Sequence, residues 1–283
     1  MRTARLALIK WLHGGIAAFQ FLTRLPIPVQ IEYTAQVFRR SVVFYPLAGF
    51  VIGVLLLLAG DGLRLVLPAM PAAVILLGLW VLLTGGLHLD GLMDTADGIL
   101  SHRPREQMLE IMKDSRVGAM GVIVCVLHLL LKFSMIYSLL ISNQAGHIWK
   151  AASFLLAAIP IWSRWFMVVA IHAWPYARSG SGLGGLFRGV TKGHVAACTF
   201  VALLLTALVA AIGHSSLTAF FGHMPIWSVL VGFPVVTCLV GCLAAAYISR
   251  KLGGLTGDTY GALNELLEGL LLLGVVVLLG VLP

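Results

Sequence analysis

Long apolar runs, each bounded by short clusters of charge, glycine or proline, divide the chain. Residues 42–60 carry no charge and are long enough to cross a hydrocarbon core of about 30 Å. A second run, opened by Pro68 and Pro71, ends near His88. Residues 117–141 are apolar apart from His128 and Lys132, and residues 151–173 apart from Arg164. Residues 193–249 hold no charged group and divide at 213–224 into two runs, and a last run covers 269–283. The pattern predicts about seven spans. Residues 1–24 differ, because Arg2, Arg5, Lys10, His13 and Arg24 interrupt the apolar positions. They predict an amphipathic interfacial or re-entrant helix, ended by Pro26 and Pro28. The expected fold is all-α: a polytopic transmembrane helix bundle forming one domain over residues 1–283.

Composition strengthens this. The 283 residues are 60% hydrophobic and 11% charged, against about 25% charged in soluble domains. The net charge of +8 does not mark a nucleic-acid binder, since no basic stripe with interleaved aromatics is present. It fits basic loops on one membrane side. With the N-terminus in the cytoplasm and spans alternating, 15 of the 19 lysines and arginines fall on the cytoplasmic side. The expected location is the cell inner membrane, with the polar loops facing the cytoplasm. No removable signal peptide is read at the N-terminus. The tryptophans read as interface anchors. The four cysteines lie in apolar segments without ligand spacing, as small core or lipid-facing residues. Oligomeric state is not fixed by the chain; a homo-oligomer is compatible with it.

Chemistry concentrates in one stretch. Six of the 11 acidic residues lie between His88 and Arg116. In a helix Asp90, Asp94 and Asp97, at i, i+4 and i+7, share one face. Glu106, Glu110 and Asp114 repeat the i, i+4 spacing. Stacked carboxylates destabilise a helix unless neutralised, which points to a divalent cation such as Mg²⁺ and to phosphate chemistry. The blander alternative, acids favouring a helix N-terminus, accounts for one of them only. Arg39, Arg40, Arg103, Arg105, Lys113 and Arg116 are candidate phosphate contacts, as are Arg188 and Lys192 beside the glycine-rich loop 179–189. Arg164, inside a span, is expected to be paired or functional. Thr256-Gly-Asp258 with Asn264, Glu265 and Glu268 reads as a polar loop before the last span. An ion-coupled transporter is the alternative class, but its acids belong near the bilayer midplane, not at span ends. A non-catalytic scaffold leaves the acids unexplained.

Gly85-Gly-Leu-His88-Leu-Asp90-Gly-Leu-Met-Asp94-Thr-Ala-Asp97-Gly98, Met112-Lys-Asp114-Ser-Arg116-x-Gly118 and Thr256-Gly-Asp258-x-x-Gly261-Ala together resemble cobalamin synthase. Phe21-Leu-Thr-Arg-Leu-Pro26 and Arg40-Ser-x5-Pro46-Leu-x-Gly49 fit it too. The resemblance implies an integral membrane transferase that joins adenosylcobinamide-GDP to α-ribazole or its 5′-phosphate, with Mg²⁺, releasing GMP. It implies metal ligation by Asp90, Asp94, Asp97, Glu110 and Asp114, and catalytic roles for Asp94, Asp97, Asp114 and Asp258. Substrate contacts are expected from Arg40, His88, Arg103, Lys113, Arg116, Arg188 and Glu265. Asp114 and Asp258 are alternative proton acceptors. The chain also resembles the CDP-alcohol phosphotransferases in Asp94-x2-Asp97-Gly98, with Ser101-His102 in place of Ala-Arg and Glu110-x3-Asp114 in place of their final acidic pair. A related fold is the expectation.

Overall fold

The computed structural model describes residues 2–141, 145–178, 187, 189–221 and 227–280. Among the described residues twelve α-helices follow one another: α1 (Arg2–Leu22), α2 (Ala35–Ser41), α3 (Tyr45–Val66), α4 (Ala69–Thr84), α5 (Leu87–Leu100) and α6 (Arg105–Ile111). Then come α7 (Ala119–Ile141), α8 (Ala145–Ala173), α9 (Lys192–Ile212), α10 (His214–Phe221), α11 (Trp227–Leu252) and α12 (Gly257–Leu278). Among the described residues the only extended pairing is an isolated bridge between Tyr176 and Leu255. Among the described residues six helices are long and apolar enough to cross a membrane, or seven if the bent pair α4–α5 is counted as one span.

α8 runs through the middle. Most of its side chains from Ala151 to Ala170 are buried, and α3, α9, α11 and α12 pack around it. The outer helices turn Val122, Ile123, Val126, Leu127 and Leu130 of α7, Phe200 and Leu204 of α9, and Leu239 and Leu243 of α11 outward. Apolar surface on that scale belongs against lipid.

Glycine sets the bend between α4 and α5. Gly85 has φ +63° and Gly86 φ +71°, a left-handed pair that L side chains resist. Their N–H groups close on the carbonyls of Leu82 and Val81 at 3.0 and 3.1 Å. α5 leaves α4 at 87°, so its acids are carried across the bundle rather than along a continuing span.

Two expectations are corrected. The last span begins at Gly257, not near 269. Thr256 caps α12: its hydroxyl accepts from the Thr259 N–H at 3.3 Å, and the Thr259 hydroxyl accepts from the Thr256 N–H at 2.8 Å. Asn264, Glu265 and Glu268 are thus inside the helix, where neighbouring helices neutralise the two acids. Nor are the tryptophans all interface anchors. Trp80, Trp149 and Trp162 are fully buried, and the indoles of Trp149 and Trp162 donate to Asp61 and Thr206 at 2.7 and 3.0 Å.

The polar connections gather at one end. The Arg24 N–H meets the Leu83 carbonyl at 2.8 Å. The Arg105 guanidinium donates to the Ala177 carbonyl at 3.4 Å. The Ala177 N–H donates to the Leu255 carbonyl, and the Leu255 N–H to the Pro175 carbonyl, each at 2.8 Å.

Candidate active site

α5 and α12 cross closely at this end. A Cβ on Gly91 would lie 2.5 Å from the Asp258 carbonyl oxygen, so only glycine lets the two backbones meet there. The crossing brings Asp258 to the aspartates of α5. The charges that act on the half-buried Asp94 carboxylate are Asp90, Asp258 and Asp97, opposed by Arg178. Arg178 donates to Asp258 at 2.8 Å and to the Met112 carbonyl at 3.4 Å. Its Nε is buried without a hydrogen-bond partner among the described residues. Arg178 thus joins the acidic face through Asp258 and acts on Asp94 as well.

Asp97 also has a structural task. Its two oxygens accept from the N–H groups of Gly118 and Gly121, at 2.8 and 2.7 Å, at the start of α7. A carboxylate there satisfies open donors and complements the helix dipole.

The structure does not bring together every residue the sequence suggests. Glu110 is exposed on α6, and Asp114 pairs with its neighbour Arg116 at 2.6 Å; neither is among the charges acting on Asp94. α6 is only seven residues long and docks through Met108 and Met112, which pack on Gly98. The acids of α6 and the turn after it are left outward. Bidentate pairing with Arg116 holds the Asp114 carboxyl well below the usual carboxylate range, at about 2. Arg103 and Lys113 are exposed at the same end, and Arg40 lies near the start of α9, where it acts on His194. Arg188 lies outside the described residues. Arg178, which the sequence does not single out, is among the described residues the cation paired with Asp258. Its only advance signal is its place just before the glycine-rich loop.

His88 and Glu265 lie deeper, in a buried network. Glu265 accepts from His128 at 2.9 Å and Lys132 at 3.0 Å. Lys132 also reaches Glu268 at 2.7 Å and sits 4.1 Å from the centre of the Trp80 ring. Arg164 pairs with Glu268. Arg164 and Glu268 are both 0% exposed, so the two cations and two anions neutralise one another out of water, as buried charge requires. Arg164 Nη2 and Asn264 Nδ2 approach His88 Nδ1 at 3.4 and 3.2 Å. The structure thus commits the Glu265 carboxylate to Lys132 and His128 rather than to the acidic face.

Beside Asp90 and Asp258 opens a cavity of ≈120 Å³. Phe21, Tyr45, His88, Met167, Phe187 and Tyr260 line it. A second cavity of ≈320 Å³ shares Ile171, Phe187 and Tyr260 with it and runs past Trp174 and Tyr176.

Among the described residues, no three His, Cys, Asp or Glu side chains are close enough to enclose a metal ion. A magnesium ion needs no such cage: one or two carboxylates suffice when substrate phosphates and water complete the octahedron. Asp94 with Asp90 or Asp258 offers that all-oxygen donor set.

No solved structure matches the chain. Sequence relatives are plentiful. An adenosylcobinamide-GDP ribazoletransferase of Desulfitobacterium hafniense is 40% identical over 261 residues, 91% of this chain and 94% of that protein. Those of Fusobacterium nucleatum and Brevibacillus brevis are 35% and 39% identical, over 89% and 93% of this chain and 93% and 97% of theirs. The family model for cobalamin-5-phosphate synthase matches residues 14–276. That stretch takes in α5, Arg178 and the start of α12, the parts that build the acidic face, and the chain belongs to the cobalamin-5-phosphate synthase family.

Proposed function

We propose that the acidic face carries the transfer of the adenosylcobinamide phosphate from adenosylcobinamide-GDP to α-ribazole or its 5′-phosphate, with release of GMP. The observation that carries this is the gathering of Asp90, Asp97 and Asp258 about Asp94, with Arg178 paired to Asp258, at the polar end of a membrane bundle. A hydroxyl oxygen of the ribazole forms a bond to the phosphorus nearer the cobinamide. The anhydride bond to GMP breaks, and GMP leaves with its electron pair. Asp258 takes the hydroxyl proton, because it lines the cavity and belongs to the acidic face, whereas Asp114 stands outside that face. Arg178 holds the diphosphate through its guanidinium, in the manner usual for guanidinium and phosphate. Asp94, with Asp90, would hold Mg²⁺, which neutralises charge on the diphosphate oxygens when bound. Positioning and charge stabilisation supply most of the rate in such transfers. The face is placed on the cytoplasmic side of the inner membrane, on the strength of the basic loops around it.

The test uses purified enzyme in detergent with adenosylcobinamide-GDP, α-ribazole and Mg²⁺. GMP release should require all three. Asp94→Asn should reduce it by at least about 100-fold while the elution volume and helical content stay those of the wild type. Full activity in that variant would remove Asp94 from the reaction.

A further inference from the structure

The cavity beside Asp258 has a composition unlike that of a phosphate site. Its walls are mostly aromatic and apolar, with Asp90 and Asp258 the two carboxylates among them. His88, 1% exposed, is a further lining residue. Arginine has no acceptor, so the approach of Arg164 Nη2 to His88 Nδ1 makes Nδ1 the acceptor, and Asn264 Nδ2 approaches the same atom. Asn264 Nδ2 is oriented in turn by Glu268 at 3.4 Å. The His88 proton therefore sits on Nε2, a tautomer assigned from these partners. That Nε2 is buried with no hydrogen-bond partner among the described residues. A buried donor left open is costly, and here its side chain lines an apolar cavity.

We infer that this cavity seats the heteroaromatic base of the ribazole nucleoside, with His88 Nε2–H donating to the free ring nitrogen of the base. The inference rests on the proposed transfer for the identity of the nucleoside. Three features select the base over the other parts of the substrates. The cavity is far too small for a corrin. Guanine would bury several polar edge atoms against apolar walls, which carries a penalty for each left unpaired. A dimethylbenzimidazole is apolar on both faces and has a single ring nitrogen with a free lone pair, matching one open donor among stacking surfaces. With the base seated, the ribose emerges at Asp90 and Asp258, where its hydroxyl meets the proton acceptor. The buried network below gains a task as well. Arg164 and Asn264 are positioning residues that hold the imidazole in the donor tautomer.

The experiment compares α-ribazole with its indole counterpart, in which the ring nitrogen is replaced by C–H. Equilibrium binding is measured on purified enzyme in detergent without the second substrate, and KM is measured with it. Wild type should bind the indole nucleoside about 10-fold more weakly, the value of one hydrogen bond to a buried donor. His88→Leu should weaken α-ribazole to the indole level and leave the affinity for adenosylcobinamide-GDP unchanged. Ile171→Trp, which fills the cavity from α8, should weaken both nucleosides together and again spare adenosylcobinamide-GDP. Should His88→Leu not fold, the wild-type comparison and Ile171→Trp decide. Equal binding of the two nucleosides by wild type, or undiminished α-ribazole affinity in Ile171→Trp, overturns the assignment. Nucleoside binding with the expected preference but without GMP release would overturn the proposed activity and leave the base seat standing.

Discussion

Asp97 and Asp114 show how one residue type takes opposite roles in one motif. Asp97 is held by two backbone N–H groups of the next helix. An asparagine there would turn an NH₂ toward one of those donors. Asp97→Asn should therefore cost about 1–3 kcal/mol, read as a lowered Tm in detergent even where substrate affinity survives. Asp114 is exposed and bound to Arg116. Its folded-state pKa, about 2, lies below the ordinary carboxylate value. Any stability it contributes is present above that ordinary value and is lost only as the pH falls toward 2. No limb of a pH–rate profile between about pH 5 and 8 should originate here, and Asp114→Asn should leave both limbs in that range where they are. A limb that moves would place Asp114 in the proton transfer.

Between elements, the decisive contacts are those of α12. Its first turn supplies Asp258 to the acidic face, and its next turns supply Asn264, Glu265 and Glu268 to the buried network. The same helix thus joins the reacting end to the charged interior. Glu268→Gln would leave Lys132 and Arg164 with one carboxylate between them. Removing one partner from a buried ion network costs about 3–5 kcal/mol, so the variant should show a much reduced Tm or yield. Lys132→Met combined with Glu268→Gln restores neutrality and should recover part of the loss. Equal losses in the single and double variants would deny the pairing its role.

For the whole molecule, the bundle exposes apolar surface around its girth and collects its polar loops at one end. The acidic face sits at that end. Chelation should abolish GMP release and added Mg²⁺ should restore it, with the helical content unchanged throughout, because the carboxylates sit on helices whose own packing needs no metal. Activity that persists in excess chelator would refute the metal. The ion-coupled transporter finds no support here: Lys132, Arg164, Glu265 and Glu268 are paired with one another, and the family is that of cobalamin-5-phosphate synthase.

Much of this was legible in the chain. Apolar run length gave the spans, because the bilayer sets a minimum length and every backbone group in it must pair within the helix. The i, i+4, i+7 spacing placed Asp90, Asp94 and Asp97 on one helical face, because helix geometry is local. Pairings over long separations were not legible. Nothing near Arg178 in sequence marks Asp258 as its partner 80 residues on, and nothing near Arg164 marks Glu268 or His88. Glu110 and Asp114 do not share a helical face as their spacing suggests, because α6 ends at Ile111 and two methionines, not the acids, decide how it docks. Length, periodicity and charge are properties of a segment and can be read from it. Which carboxylate meets which cation depends on how helices cross, and that is decided only when the side chains of distant segments compete for the same space.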